Sequence, residues 1–188
     1  MIIVFLVDTS TYAARCFADG TTLLDATRTA ARSLAQRIRQ TSPSTRFMLV
    51  SYAPGIKATK CSLADSPDEL AYALERLRPD DAWNGGNALG TVFDALQLDR
   101  SLRQTDTFGK GRLPGIFDPV KVLWFSYGGH RGQDEQRLEI PGSTCPGAEL
   151  YREPFRWDQR INALLMLPEG ETPAAEQIGM MANVTGGK

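Results

Sequence analysis

Four short, continuous apolar runs, separated by stretches with helical spacing, constrain the fold of this chain more than any other feature. Each run is too short for a typical helix, and runs of this kind are typical of strands buried on both faces of a parallel sheet. Strands alternating with helices predict an α/β fold, with a doubly wound, mainly parallel sheet and helices on both faces. The four predicted core strands are residues 2–7, 47–52, 120–125 and 161–167.

Local signals place the other elements. Apolar residues recur at helical spacing from Leu24 to Ile38, and the polar stretch 41–45 ends that helix. Ser66 is a good N-cap, Pro67 suits the first helical position, and Glu69 completes a capping box. We also expect a short edge strand within 55–62 and a last helix over 173–183.

Size and charge narrow the class of protein. The chain has 188 residues, which fits a single domain over 1–188, with an irregular surface excursion at about 131–158. A net charge of −1 offers no general attraction to nucleic acid or to a membrane surface. The three cysteines, Cys16, Cys61 and Cys145, form no CxxC pair, which favours a reducing compartment.

Three loops are predicted to meet at one edge of the sheet. DTSTY follows the first strand, WNGG precedes a helix, and FSYGGH follows the third core strand. Ligands of open α/β sheets bind beyond the carboxyl ends of the strands. We therefore expect the candidate site at this edge.

Asp8 and Ser10 begin a pattern, Asp-x-Ser-x-Ser, that holds Mg²⁺ in von Willebrand A-type metal sites. Such a site needs hard oxygen ligands in octahedral geometry. Only two of the five ligand positions keep a suitable side chain here, and Asn84 is the only oxygen donor near the threonine position. We expect no bound cofactor, and Mg²⁺ on Asp8 and Ser10 is the alternative. The three replacements are Tyr12, Trp83 and Tyr127.

The replaced site has two structural interpretations. Asp8 and Ser10 can cap their loop by hydrogen bonding to backbone amides. The three rings then either fill the vacated cleft or form a patch that contacts another protein, since Tyr and Trp anchor many interfaces. The sequence leaves both roles open.

Catalysis is not predicted. Ser10 does not lie in a GxSxG elbow, and the only histidine, His130, stands beside two glycines in a loop. The loop GKGRLPG (109–115) lacks phosphate-loop spacing and precedes a strand. Two rivals remain: a hydrolase with Ser10 or Asp8 as nucleophile, and a nucleic-acid binder that uses the arginines of 28–39 and 152–160.

The most distinctive stretch is EPFRWDQR (153–160), in which aromatic and charged residues alternate. It either offers Arg and Trp to a protein partner or packs an internal Arg–Asp pair and a Trp over the sheet. The candidate contact residues are Phe155, Arg156, Trp157, Asp158 and Arg160.

Several of these segments together resemble one family. MIIVFLVDTS, FMLVSY, FDALQLDR, GKGRLPG, EPFRWDQR and VTGGK follow the order and spacing of the amino-terminal von Willebrand A-type domain of the Integrator complex subunit 6 family. The family's usual metal loop is Asp-x-Ser-x-Ser with a threonine turn and an Asp–Gly loop, so this chain departs at Tyr12, Trp83 and Tyr127.

The resemblance implies a non-catalytic scaffold domain in the nucleus. Its partners would be other Integrator subunits and protein phosphatase 2A, in an assembly that terminates transcription and processes small nuclear RNA. It also implies that the 188 residues are a fragment of a longer protein, which is either a divergent member or a paralogue.

Overall fold

The computed structural model describes residues 1–83, 85–102, 119–127, 159–168, 170 and 176–188. Within these ranges five strands form a single sheet. The strands are β1 (Ile2–Val7), β2 (Arg46–Ser51), β3 (Thr59–Cys61), β4 (Val120–Ser126) and β5 (Gln159–Leu165). Their order across the sheet is β3-β2-β1-β4-β5.

Strand β1 lies at the centre of the sheet. All six of its residues are apolar and buried, so the strand needs a hydrophobic layer on each face. It pairs in parallel with β2 on one side and with β4 on the other, and Val7 lies opposite both Ser51 and Phe125. The carboxyl ends of these three strands therefore lie side by side.

Helices cover both faces of the sheet, as predicted. They are α1 (Leu23–Thr41), α2 (Pro67–Glu75), α3 (Gly85–Leu102) and α4 (Glu176–Val184). Alternate residues of β1 enter two separate cores: one contains residues of α1 and α2, and the other contains residues of α3 and α4. No helix in the described ranges combines the length and apolar character needed to cross a membrane.

Side-chain caps begin two of the helices. The Thr22 hydroxyl accepts a hydrogen bond from the Asp25 amide at 3.0 Å, and the Ser66 hydroxyl accepts one from the Glu69 amide at 3.3 Å. Pro67 is the first residue of α2. Both caps satisfy amides that have no partner within the helix. The predicted start of α2 is confirmed.

The edges of the sheet differ from the sequence prediction. Of residues 55–62, only Thr59–Cys61 form a strand, antiparallel to β2, while Gly55–Ala58 form a 3₁₀ turn. The run 161–167 was expected to be a core strand, but β5 ends at Leu165 and lies at the edge of the sheet. Leu164 and Leu165 each remain 37% exposed. Apolar composition alone does not distinguish an edge strand from a central one.

Two further expectations concern stretches outside the described residues. These are the surface excursion at 131–158 and the loop at 109–115.

Replacing Ser66 with Ala tests the cap of α2. We expect Ser66→Ala to lower the free energy of unfolding by about 1 kcal/mol, because the Glu69 amide loses its acceptor. Urea denaturation followed by circular dichroism measures the change. Ser44→Ala, in an exposed loop, is the matched control and should change the free energy by less than about 0.5 kcal/mol. Equal effects of the two substitutions would show that the cap contributes nothing.

Candidate functional site at the carboxyl edge of the sheet

Asp8 follows β1 directly and is almost completely buried, with 2% of its surface exposed. One carboxyl oxygen accepts a hydrogen bond from the Ser10 amide at 2.9 Å. The other accepts one from the hydroxyl of Ser126, the last residue of β4, at 3.4 Å. The Tyr127 amide also hydrogen bonds to this carboxyl group. Asp8 thus links the ends of the two neighbouring strands β1 and β4.

Burial raises the pKa of Asp8 above its usual value, because the charged form is removed from water. The contacts with Ser10, Tyr127 and Ser126 lower that pKa and oppose the effect of burial only in part. The Ser10 hydroxyl is among the groups that lower the pKa of Asp8. It is buried, however, and makes no hydrogen bond to any described residue. The expected cap by Asp8 is therefore present, while the expected cap by the Ser10 hydroxyl is not.

Asp81, in the linker between α2 and α3, holds the loop that contains Asp8. Sequence reasoning did not select this residue. The Thr9 hydroxyl donates to the Asp81 carboxylate at 2.6 Å and accepts from the Tyr52 amide at 3.1 Å. Backbone hydrogen bonds join the same two segments in both directions, at 3.0 and 3.1 Å. The only sequence signal was the position of Asp81 just before WNGG.

Trp83 is half-buried and packs against aromatic residues on the α3 side of the sheet. Its ring meets that of Tyr52 edge to face, with centroids 6.1 Å apart. The Tyr52 hydroxyl accepts a hydrogen bond from the indole nitrogen of Trp124 at 2.8 Å. A Cβ atom at Gly85 would lie 2.9 Å from the Trp124 ring and 3.1 Å from the Trp83 ring. Glycine at this position thus permits the close packing of the two indoles.

Tyr127 turns to the opposite face, towards α1. Its side chain is fully buried, and its hydroxyl lies 2.9 Å from the Thr27 hydroxyl. Burial raises the pKa of Tyr127 well above its usual value, so the phenol stays neutral. Tyr127 was considered as a contact for a partner, and complete burial excludes that role in this conformation.

Tyr12 keeps part of its ring exposed. It lies in the 3₁₀ turn Thr11–Ala14 and packs against the core beneath α1 and α2. The Arg15 guanidinium sits over this ring, 4.7 Å from its centroid, and also contacts the phenol oxygen. Of the three rings at the former ligand positions, Tyr12 and Trp83 are the two that reach the surface.

The oxygens around Asp8 in the described residues are fewer than Mg²⁺ requires. The described side chains supply one carboxylate and the hydroxyls of Ser10 and Ser126, whereas the ion needs six oxygens in near-ideal octahedral geometry. Both Asp8 oxygens already accept hydrogen bonds. Among the described residues, no group of three or more His, Cys, Asp or Glu could hold a metal ion. This donor set does not fit a resident magnesium ion.

Several predicted site residues lie outside the described residues. They are Asn84 and four of the five candidate contact residues in EPFRWDQR: Phe155, Arg156, Trp157 and Asp158. Arg160 is described: it lies in β5 opposite Lys121, and its side chain is exposed. It therefore remains a candidate for contact with a partner.

Sequence comparison finds relatives over the whole chain. Integrator complex subunit 6 of Danio rerio is 32% identical over 205 residues, which cover 100% of this chain and 23% of that protein. Integrator complex subunit 6 of Homo sapiens is also 32% identical, over 206 residues, with the same coverage. The Drosophila melanogaster protein of the same name is 29% identical and is covered over 16% of its length.

A solved structure shares the fold. The crystal structure of the SpRpn10 VWA domain matches 98% of this chain and 81% of its own chain, with a TM-score of 0.56 and 12% sequence identity. At that identity the similarity concerns the fold alone.

The sequence pattern of the von Willebrand factor type A domain matches residues 3–112, more than half of the chain. The chain spans about a quarter of the length of the zebrafish and human relatives. The resemblance seen in the sequence is thus confirmed: the chain belongs to the von Willebrand factor type A domain family and is similar over its full length to part of Integrator complex subunit 6.

Proposed function

We propose that this domain is a non-catalytic protein-docking module of an Integrator-type assembly and works without a bound metal ion. The observation that carries the proposal is the replacement of oxygen ligands by rings at the carboxyl edge, where Tyr12 and Trp83 are half-buried and partly exposed. Partly exposed, well-supported Tyr and Trp side chains are common anchors of protein interfaces. The similarity to Integrator complex subunit 6 supports the type of assembly.

The partners follow from that similarity and from the family resemblance. We propose other Integrator subunits and protein phosphatase 2A as partners, with the nucleus as the location and transcription termination and small nuclear RNA processing as the process served. Among the predicted contact residues that the structure describes, Arg160 is exposed and Tyr12 and Trp83 are partly exposed, so their side chains can reach a partner.

Absence of catalysis is supported by the surroundings of Ser10. A nucleophilic serine needs a base within hydrogen-bonding distance. The Ser10 hydroxyl is buried and has no such partner among the described residues. Asp8, the other candidate nucleophile, is covered and already hydrogen bonded through both oxygens.

The arginines of α1 give little support to nucleic-acid binding. Arg28 pairs with Asp25 and also donates to the Leu77 carbonyl at 2.5 Å. Arg32 pairs with Glu75, and Arg39 lies 3.9 Å from Asp68. These contacts with α2 and with α1 itself leave less positive charge available for phosphates.

One observation favours a second candidate function, a metal-dependent ligand binder. The buried Ser10 hydroxyl lacks a hydrogen-bond partner, and a metal ion would satisfy it. Calorimetric titration with Mg²⁺ and Mn²⁺ decides between the two functions. We expect no saturable heat, because a single carboxylate does not overcome the hydration of the ion. Saturable binding that Asp8→Ala abolishes would establish the rival.

Replacing Asp8 with Asn tests the charge at nearly constant size: one oxygen can still accept from the Ser10 amide, and the other becomes an NH₂ group that can donate to the Ser126 hydroxyl. The raised pKa of Asp8 means that the folded state holds this proton more tightly than the unfolded state does. The stabilising contribution of protonated Asp8 is therefore fully present below the pKa of the unfolded state, roughly 3.9. It is lost as the pH rises through the pKa of the folded state.

We accordingly expect Asp8→Asn to gain stability relative to the unmodified chain as the pH is raised from 4 to 7. Urea unfolding of both proteins at pH 4, 5.5 and 7, with a chelator present, measures the difference. A difference that does not change with pH would contradict the assignment of Asp8 as a buried group with a raised pKa.

Tyr127→Phe tests whether this ring is structural. The substitution keeps the ring and removes the contact with Thr27, so we expect a loss of about 1 kcal/mol in the free energy of unfolding. The Thr27 hydroxyl still donates to the Leu23 carbonyl, which limits the loss. Partner binding should not change. Weaker partner binding at unchanged stability would instead make Tyr127 a contact residue.

A pull-down from nuclear extract tests the docking role. We expect the chain to retain Integrator subunits and protein phosphatase 2A, and Tyr12→Ala or Trp83→Ala to reduce this retention at least tenfold, about 1.4 kcal/mol.

Tyr72→Ala is the matched control for Tyr12→Ala. Tyr72 is 57% exposed on α2 and, like Tyr12, lies under an arginine, with the Arg76 guanidinium 5.2 Å from its centroid. The substitution Tyr72→Ala should leave the retention of partners unchanged. Circular dichroism must first show that each variant is folded. Equal losses for Tyr12→Ala and Tyr72→Ala, or no retention by the unmodified chain, would contradict docking at the carboxyl edge.

A further inference from the structure

A groove lies between α1 and α2 and encloses about 310 Å³. Its floor is apolar and comes from both helices: Ala35 of α1 and Leu70 and Leu74 of α2 are buried there. Ala71 also lines the groove, and the short side chains of the two alanines leave space between the helices unfilled. A cavity of this volume lies at the lower end of the range for ligand sites.

An arginine–carboxylate pair stands at each end of the groove. Arg32 of α1 pairs with Glu75 of α2, and Arg39 lies 3.9 Å from Asp68. The two arginines are seven residues apart, so they project from the same side of α1, about 10 Å apart along its axis. Ala35 lies three residues after Arg32 and four before Arg39. The apolar floor is therefore placed between the two guanidinium groups.

Both arginines keep donors for a further acceptor. The Nε of Arg32 is buried and has no hydrogen-bond partner among the described residues. The contact between Arg39 and Asp68 is long, and the Asp68 side chain is 96% exposed, so water competes for both groups. A carboxylate suits such donors, because its two oxygens accept two parallel hydrogen bonds from one guanidinium group. The groove thus combines an apolar floor with donors for a carboxylate at each end.

We infer that the groove between α1 and α2 is a docking site for an acidic amphipathic helix of a partner protein. The helix lies along α1, places an apolar side chain on the floor, and directs two carboxylates to Arg32 and Arg39. A helix matches the site because its side chains recur at the same seven-residue spacing as the two arginines. The charge of α1 supports an acidic occupant, since this helix carries four arginines and one acidic residue, Asp25.

A nucleic acid fits the groove less well than an acidic helix does. Asp68 and Glu75 stand opposite the arginines and would repel closely spaced phosphates. They also reduce the net positive charge at the groove, so binding has to depend on directed hydrogen bonds and on the apolar floor. A protein helix can place neutral or basic side chains beside Asp68 and Glu75, which a phosphate backbone cannot do.

Synthetic peptides test the inference. The first is an alanine-rich helix of about 16 residues, labelled with fluorescein, with a central leucine and two glutamates seven residues apart on either side of it. The second carries lysine in place of both glutamates. Fluorescence anisotropy at about 0.15 M salt measures binding to the 188-residue chain. We expect saturable binding of the glutamate peptide with a Kd of about 100 μM or lower, and at least about tenfold weaker binding of the lysine peptide.

Substitutions in and beside the groove locate the peptide. Arg39→Glu should weaken binding of the glutamate peptide by about tenfold or more, because a guanidinium group is replaced by a repelling carboxylate. Arg37→Glu is the matched control: it makes the same change of charge at an exposed position of α1 that does not line the groove, and it should weaken binding by less than about threefold. Ala71→Leu fills the groove without changing charge and should weaken binding by about tenfold or more. Circular dichroism must show that each variant is folded.

Four outcomes would overturn the inference. The first is the absence of saturable binding by the glutamate peptide, and the second is equal weakening by Arg39→Glu and Arg37→Glu, which would indicate general attraction of charge. The third is unchanged binding in a folded Ala71→Leu variant. The fourth is tighter binding of oligo(dT) of about 16 nucleotides than of the glutamate peptide. The residues of the groove do not belong to the site at the carboxyl edge, so this test and the pull-down can fail independently.

Discussion

Strand β1 is hydrogen bonded along both edges and buried on both faces, and the positions of the site residues depend on it. Its partners β2 and β4 run in the same direction, so all three strands end at one edge. The residue that follows the strand, Asp8, is consequently carried into the interior with little access to water. Burial is the largest effect, and the contacts with Ser10, Tyr127 and Ser126 do not offset the loss of hydration, which is why the pKa of Asp8 rises.

Three aromatic rings, Tyr12, Trp83 and Tyr127, stand at positions where a von Willebrand A-type metal pattern would have oxygen ligands. The rings do not all fill one cleft: Trp83 packs with Tyr52 on the α3 side, while Tyr127 enters the core beneath α1. The loop itself is then held by other groups, above all by the hydrogen bonds between Thr9 and Asp81. The backbone arrangement of the edge is thus kept by contacts that need no metal ion.

The centre of the sheet's carboxyl edge and its β5 side differ in what they present to solvent. The centre presents the partly exposed side chains of Tyr12 and Trp83, which supports the proposed docking role. The β5 side is occupied by residues 185–188, since the Ala163 amide donates to the Lys188 carbonyl at 2.8 Å.

The sequence by itself determined the central strands, their alternation with helices and the layering on both faces of the sheet, because apolar periodicity and caps such as Ser66 are local signals. It also singled out Tyr12, Trp83 and Tyr127 as candidate site residues, and it carried the family resemblance. Only the tertiary structure decided that Tyr127 is buried against Thr27, that Asp81 and Tyr52 belong to the site, and that β5 is an edge strand. Those outcomes depend on contacts between residues far apart in the chain, and the identity of one residue does not indicate which distant residue will lie against it.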